Sequence, residues 1–208
     1  MPRNKIHTAK RAKVAPGGLD KVIRIYLAGP DVFLRDAVAI GGQKKALCKK
    51  YGFEGVYPFD AEADMAELPK MEAGIQIGLM NEKLISDCHA VIANLTPFRG
   101  PSADVGTAYE MGFARAAGLI VFGYTNKSAG FKTRTLRWLG QSARKEAGNR
   151  FRDSNDMAVE DWGMVDNLML HACILSSGGS LIVHNAPQAK MFTDLTAFET
   201  CLQKLRNP

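Results

Sequence analysis

The stretch that decides the fold is AVIANLTPFRGPSADVGTAYEMGFARAAGLIVFGY, residues 90–124. It begins with an apolar run over 90–95 and ends with another over 119–124. Each run is as long and as apolar as a strand buried on both faces of a parallel sheet. The segment 104–117 between them predicts a helix. A strand, a helix and a strand in succession are typical of an α/β sheet covered by helices on both faces.

The same alternation extends through the rest of the chain. The apolar patterns predict strands at 22–28 and 55–59, helices at 37–51, 72–87, 166–176 and 194–205, and an edge strand at 180–183. We therefore expect a single domain over 22–208, with a doubly wound parallel sheet, flanking helices and a C-terminal helical extension. Residues 125–160 are polar and basic and depart from the pattern. They predict an insertion or a partly helical excursion that serves as a functional loop or a subunit contact.

The composition is that of an ordinary globular protein. Of the 208 residues, 46% are hydrophobic and 23% are charged, which excludes a disordered chain, a collagen and a coiled coil. The four cysteines lie far apart without a CxxC pair, which argues against a zinc site and a disulfide framework. No apolar run reaches the roughly 18 residues of a membrane span, and the N-terminus lacks the apolar core of a secretory signal. We therefore expect a soluble cytoplasmic protein with no membrane partner.

The net charge of +6 is concentrated at one end of the chain. Residues 1–13 hold five of the 27 basic residues and no acidic residue, so 22 basic and 21 acidic residues remain in the body of the protein. We predict a basic flexible arm over 1–21. Such an arm either contacts nucleic acid or is a solvated, mobile terminus, and the second is the commoner case. We do not expect nucleic acid as the partner.

Open parallel sheets bind their ligands at the carboxyl ends of the strands, and two such ends stand out here. YLAGPDVF (26–33) follows the first strand, and NLTPFRGPSADVGTAYE (94–110) follows the third. The first lacks the GxGxxG pattern of a dinucleotide site, and the second lacks the GxxxxGK[ST] pattern of a P-loop. Both kinds of nucleotide site are therefore poor interpretations of this chain.

The second stretch contains a clear helix start. Either Ser102 or Asp104 can cap its exposed amides. Gly106 lies on the same helix face as Glu110, and glycines at 106 and 112 cost a helix about 1 kcal/mol each relative to alanine, so they indicate close approach of a ligand or another backbone. A carboxylate recessed among small residues is a candidate nucleophile or general base. The alternative is that Glu110 is a solvated helix position and Asp104 only a cap.

Three aromatic residues near the two strand ends have two interpretations each. Tyr26 is either a core aromatic with a wet tip or a phenol that holds and orients a carboxylate. Phe33 and Phe98 either pack in the core or stack on a planar heterocycle. Asn81, in the helix 72–87, has the ordinary interpretation of a surface amide. The four histidines lie in no recognisable triad, so we assign them no role.

The residues IYLAGPDVF (25–33) and ANLTPFRGPSADVGTAYEMGFA (93–114) together resemble the nucleoside 2-deoxyribosyltransferase family. DNLML (166–170) resembles the closing motif of the same family. The resemblance implies a flavodoxin-like sheet of about five strands and a homo-oligomer whose active sites are completed across a subunit interface. It also implies retaining exchange of the base between a deoxynucleoside and a free nucleobase, without a metal or cofactor.

The resemblance further implies roles for individual residues. Glu110 would attack C1′, Tyr26 would hold its carboxylate, and Asp104 would contact the base and shuttle its proton. Asn167 and Met169 would reach into the neighbouring subunit's site. The substrate-binding residues that we predict are Gly29, Asp31, Phe33, Asn81, Asn94, Phe98, Ser102, Gly106, Asn167 and Met169. Two positions depart from the family, because Asn81 and His89 stand where an aspartate occurs in some or many members.

Two other functions remain open. A nucleoside or nucleoside 5′-monophosphate N-glycosidase would use the same carboxylate but release the sugar to water, and Arg99, Ser102 or the basic excursion would then hold a 5′-phosphate. Ser102 alternatively only caps the helix. A non-catalytic nucleotide or nucleic-acid binder would keep the sheet and bind through the basic arm. It would associate with nucleic acid in a salt-dependent way and would be indifferent to the loss of Glu110.

Overall fold

The computed structural model describes residues 22–60 and 67–207, and its centre is a five-stranded parallel sheet. Its strands are β1 (Arg24–Ala28), β2 (Glu54–Val56), β3 (Ala90–Asn94), β4 (Ile120–Thr125) and β7 (Leu181–Val183). They are ordered β2-β1-β3-β4-β7, and every neighbouring pair runs parallel. This is the strand order of the flavodoxin-like fold, so the predicted fold class is confirmed.

Helices cover both faces of the sheet. The α-helices of the described residues are α1 (Ala37–Lys50), α2 (Lys70–Ser86), α3 (Val105–Ala116), α4 (Phe131–Leu139), α5 (Leu168–Ser176) and α6 (Thr196–Arg206). Buried side chains of α1 and α6 pack on one face, and those of α2, α3 and α5 pack on the other. The predicted C-terminal helix is therefore α6, which packs on the sheet as part of one of these layers.

The central position of β3 in the sheet explains why its sequence is an apolar run. All five of its residues are buried, because β1 and β4 flank it and helices cover both of its faces. Successive side chains of a strand point to opposite faces. Val91 accordingly belongs to the core cluster of α3, and Ile92 belongs to the cluster of α6. A strand in this position is therefore apolar along its length, and its one polar residue, Asn94 at the carboxyl end, is hydrogen-bonded to Asp31.

The polar excursion 125–160 contains α4, short turns and a small antiparallel hairpin. The hairpin pairs β5 (Arg144–Lys145) with β6 (Phe151–Arg152). Four basic side chains of this segment form ion pairs with acids: Lys132 with Asp161, Arg134 with Asp166, Arg144 with Asp156, and Arg152 with Glu146. Much of its positive charge is therefore neutralised locally, which the basic composition alone did not reveal.

The strand order places β1 beside β3, with β2 on the outer side of β1. Connections leave the sheet in opposite directions at such a point, and the loops after the two strands leave a crevice between them. The stretches 26–33 and 94–110, predicted to bind a ligand, both lie here. The predicted basic arm 1–21 lies outside the described residues. In the part of the chain that the structure describes, no helix has both the length and the hydropathy of a membrane span.

Candidate active site

Tyr26 and Glu110 form the centre of the site. Tyr26 lies in the middle of β1 with its ring fully buried, and its phenol donates a 2.6 Å hydrogen bond to Oε1 of Glu110. Glu110 lies in the second turn of α3, where side chains tilt back toward the helix N-terminus. Tyr26 is thus both a core aromatic and a phenol that orients a carboxylate, and the two interpretations of the sequence describe one side chain.

The surroundings of Glu110 hold its pKa far above that of an exposed glutamate. Burial raises the pKa to about 7, the hydrogen bond from Tyr26 opposes the rise, and the charge of Asp104 adds to it. Burial and the charge of Glu110 in turn raise the pKa of Tyr26, so the phenol stays protonated as a donor. Glu110 is therefore not a solvated helix position. Its hydrogen bond to Tyr26 and its raised pKa together make Glu110 a candidate functional carboxylate.

Asp104 caps α3. Its Oδ2 accepts hydrogen bonds from the amide of Thr107 at 2.9 Å and from the hydroxyl of Thr107 at 3.2 Å. The positive end of the helix dipole favours a carboxylate at this position. Oδ1 has no hydrogen-bond partner among the described residues, so one oxygen of this acid is available to a ligand. The two carboxylates of the site, Asp104 and Glu110, are close enough to raise the pKa of the second.

Asp31 and Asn94 lie beneath the crevice in a buried network. Asp31 and Lys44 form an ion pair at 2.5 Å with each side chain 1% exposed, and Asn94 donates to the other oxygen of Asp31 at 3.1 Å. Gly29 is required here, because a Cβ would lie 2.5 Å from Asp31 Oδ2 and 2.7 Å from the Cβ of Asn94. The network supports the loop after β1, and the substrate contacts predicted for these three residues stay predictions.

Phe33, from the loop after β1, and Phe98, from the loop after β3, stack on each other. Their ring centroids are 5.1 Å apart and their planes differ by 12°. The guanidinium of Arg99 lies 5.1 Å from the first ring and 4.6 Å from the second, and Phe192 meets Phe98 edge-on. Phe33 is 56% exposed, so this pair is not ordinary core packing. The fold thus brings together the two aromatic residues that we predicted to stack on a heterocycle.

Ser102 is bound to another part of the chain. Its hydroxyl donates to Asp166, which also accepts from the amide of Ala103 at 3.0 Å and from Nη2 of Arg134 at 3.1 Å. The expectation that Ser102 caps the helix is therefore wrong, and Asp104 is the cap. A phosphate bound by Ser102 would have to displace Asp166 from the hydroxyl.

Asn167 and Met169 open helix α5. The side chain of Asn167 accepts from the amide of Met169 at 3.0 Å and donates to Glu160 at 2.7 Å, so it caps the helix. Met169 is 66% exposed, and its predicted contact with a neighbouring subunit stays a prediction. Asn81 lies partly buried on α2.

Three further positions that the sequence analysis singled out are Gly106, Gly112 and His89. A Cβ at Gly106 would lie 3.0 Å from Asp104 Oδ2, so this glycine leaves room for the cap, whereas Gly112 has open space around it. Among the described residues, nothing makes the close approach that was expected at Gly112. His89 accepts a hydrogen bond at Nδ1 from the amide of Arg24, a structural contact. Among residues 22–60 and 67–207, no group of three or more His, Cys, Asp or Glu side chains could hold a metal ion.

The motifs that build this site match a known family. The family model described as nucleoside 2-deoxyribosyltransferase matches residues 25–169, which is well over half of the chain. This chain belongs to the nucleoside 2-deoxyribosyltransferase family. The matched range begins in β1 and ends at the start of α5, so it contains the crevice and its two carboxylates. The resemblance found in the sequence is confirmed.

Individual members agree with this assignment. The uncharacterized protein C191.05c of Schizosaccharomyces pombe is 32% identical over 195 residues, 89% of each chain. A 2-desoxiribosyltransferase from Leishmania mexicana is 31% identical with a TM-score of 0.54, over 72% of this chain and 85% of that one. A conserved protein from Enterococcus faecalis V583, 18% identical with a TM-score of 0.52 over 89% of this chain and 99% of that one, shares the fold. Family membership supports an activity of the deoxyribosyltransferase type on nucleosides.

Three residues of the site region were missed from the sequence. Lys44 was detectable, because it lies on the helix face that α1 buries, beside Ile40 and Cys48. A lysine in such a row needs a buried acid as its partner. Asp166 is the first residue of the DNLML motif, but its side chain was assigned no role from the sequence, and Arg134 was one of many basic residues in the excursion. Only the folded chain pairs these last two.

Proposed function

We propose that this protein is a nucleoside 2-deoxyribosyltransferase that works through a covalent deoxyribosyl-enzyme on Glu110. The hydrogen bond from Tyr26 to Glu110 carries the proposal, because it fixes a partly buried carboxylate through Oε1 and leaves Oε2 to react. Family membership supplies the class of substrate, a deoxynucleoside and a nucleobase. The geometry around Glu110 supports its assignment as the nucleophile and that of Tyr26 as the phenol that orients it.

In the first half of the reaction, Oε2 of Glu110 attacks C1′ of the deoxynucleoside. The C1′–O bond forms as the C1′–N bond breaks, and the bonding electrons leave with the base. Asp104, whose Oδ1 is available to a ligand, delivers a proton to the departing base. The transition state has oxocarbenium character, which the adjacent anionic carboxylate stabilises before it traps the sugar as an ester.

In the second half, a different free base attacks C1′ of the ester from the face that the first base left. Its ring nitrogen forms the new C1′–N bond, Glu110 departs as carboxylate, and Asp104 takes the proton from the incoming base. Two displacements at one carbon retain the configuration. The stacked rings of Phe33 and Phe98 offer a flat apolar surface on which the leaving and entering bases can lie.

Water attacking the same ester would give a hydrolase, so the N-glycosidase alternative differs only in the acceptor. Exclusion of water from the closed site decides between them. A second subunit is the natural source of that closure. Met71, Ile75 and Leu79 repeat every four residues along α2, and each is at least half exposed. We propose that this apolar face packs against another copy of the chain, so that the protein is a homo-oligomer.

The test is to incubate the protein with a 2′-deoxynucleoside, with and without a different free base, and to separate the products by chromatography. A new deoxynucleoside that forms only with the acceptor base is the expected result. Free base and free sugar at equal rates under both conditions would indicate the hydrolase instead.

Glu110→Ala is expected to abolish turnover without loss of the fold. Glu54→Ala, which removes an exposed glutamate at the start of β2, is the matched control and should stay active. Mass spectrometry of the wild-type protein, quenched with substrate but without acceptor, should place the deoxyribosyl group on the peptide that contains Glu110. Full activity of Glu110→Ala would overturn the proposal.

A further inference from the structure

Asp166 is a buried acid that joins three separate parts of the chain. It is 1% exposed and lies just before α5. One oxygen accepts from the hydroxyl of Ser102 and from the amide of Asn167 at 2.8 Å. The other accepts from the amide of Ala103 at 3.0 Å and from Arg134 at 3.1 Å. Four donors thus converge on one carboxylate, which is a strongly held arrangement for a buried charge.

Arg134 extends this cluster into the excursion. It lies on α4 and is 7% exposed. Its Nε donates to the carbonyl of Pro101 at 2.7 Å, and its Nη1 donates to the carbonyl of Ala129 at 2.6 Å. The planar guanidinium therefore binds a carboxylate and two backbone carbonyls at once, a pattern that lysine cannot reproduce.

The cluster holds three consecutive residues that lead directly to Asp104. Pro101 is bound through its carbonyl, Ser102 through its hydroxyl and Ala103 through its amide. The next residue is Asp104. The position of this acid at the start of α3 therefore depends on Asp166 and Arg134. Glu110 is held separately, by Tyr26.

We infer that Asp166, fixed by Arg134, is a positioning residue that sets Asp104 for proton transfer to and from the base. The inference rests on the proposed function. It also gives the excursion 125–160 a functional role, because α4 supplies the arginine that connects residues 101–103 to the start of α5. A displacement of about 1 Å in an acid can cost on the order of 100-fold in rate.

The experiment compares two substrates that differ in their need for an acid. A 2′-deoxynucleoside needs a proton on its departing base, whereas 4-nitrophenyl 2-deoxyriboside releases a stable phenolate without one. Asp166→Asn replaces an acceptor oxygen by a donor that faces the donors of the cluster. We expect its kcat/KM to fall about 10- to 100-fold on the deoxynucleoside, and to fall much less on the nitrophenyl substrate.

Asp156→Asn is the matched control, because Asp156 is an exposed acid of the same excursion that pairs with Arg144. It should leave both substrates unchanged. Ser102→Ala removes only one donor from Asp166 and is used if Asp166→Asn fails to fold. It should show the same selective loss to a smaller degree. Arg134→Lys keeps the charge but loses the planar fork, and it should resemble Asp166→Asn.

Equal losses on both substrates in the folded variants, or no loss on either, would overturn the inference. Glu110→Ala is measured alongside and should lose both substrates. If it retained both, the proposed function itself would fail, whatever Asp166 did. The two failures are therefore distinguishable.

Discussion

The phenol of Tyr26 and the carboxylate of Glu110 meet at 2.6 Å, although 84 positions separate them in the sequence. The bond joins the middle of β1 to α3, so the site exists only when strand and helix are packed together. Burial raises the pKa of Glu110 and the bond lowers it. The result is an oriented carboxylate that changes its protonation state near neutral pH.

Tyr26→Phe is expected to move the pH dependence of activity. The nucleophile must be ionised, so kcat/KM of the wild-type protein on 4-nitrophenyl 2-deoxyriboside, a substrate that needs no acid, should rise with pH through about 7, the pKa of Glu110. Removing the phenol removes the bond that favours the ionised form, so the rise should shift to higher pH. A hydrogen bond to a charged group is worth about 1.5–3 kcal/mol, which corresponds to roughly a 10-fold or greater loss at pH 7. A pH profile of kcat/KM measures both effects, and an unshifted profile would contradict this role of Tyr26.

Glu110→Gln should stabilise the protein in alkaline solution. The pKa of Glu110 is about 7 in the fold and 4.5 in the unfolded chain, so the folded state binds more protons between these values. The contribution of Glu110 to the free energy of unfolding is therefore most favourable below pH 4.5, and it is lost as the pH rises toward 7. The amide of the glutamine does not ionise, so the variant does not lose this stability. We expect its free energy of unfolding to exceed that of the wild-type protein by about 1–3 kcal/mol at pH 8 and by almost nothing at pH 4.5. Urea unfolding at both pH values, with Glu54→Gln as control, tests the difference.

Lys44→Met should destabilise the fold strongly. The change leaves Asp31 charged and buried without its partner, and breaking a buried ion pair in this way costs about 3–5 kcal/mol. Adding Asp31→Leu removes the orphaned charge and should recover much of the stability. Denaturant unfolding of the two single variants and the double variant gives the coupling. Independent, additive losses would show that the pair does not act as a unit.

Ile75→Glu should abolish the self-association that we propose for this protein. The side chain lies in the exposed apolar face of α2 that we assign to subunit packing, and a buried charge there would be unpaired. Val38→Glu is the control, because Val38 is 75% exposed on α1, on the other side of the sheet. Sedimentation velocity should show a smaller species for the first variant alone. Identical sedimentation of both variants and the wild type would refute the assignment of this face.

The sequence predicted the layers of the fold closely because the relevant signals are local. The apolar run of β3 and the glycine-rich start of α3 are each contained in a few consecutive residues. The strand predicted at 55–59 is shorter, Glu54–Val56, because Pro58 starts a helical turn. The small hairpin of β5 and β6 was not predicted, since two-residue strands carry no periodicity.

Glu110, Asp104 and Tyr26 were identified as candidates from motif and helix position. The hydrogen-bond distances of the structure were needed to distinguish them from ordinary helix and core residues. Asp31 and Asn94, which we predicted to bind substrate, lie in a buried network in which Lys44 of α1 pairs with Asp31 and Asn94 donates to Asp31. This network was not predicted, and the substrate contacts stay predictions.

The sequence by itself determined the α/β architecture, the family and the chemical identity of the carboxylates, since short-range periodicity and contiguous motifs encode them. Tertiary structure alone decided which polar groups pair. The hydrogen bond between Tyr26 and Glu110 and the cluster of Asp166 with Arg134 and residues 101–103 join segments that are distant in the sequence, whereas the cap that Asp104 forms on Thr107 is local. The physical reason is that burial and hydrogen-bond partners, which set charge and orientation, arise only when the helices pack on the sheet.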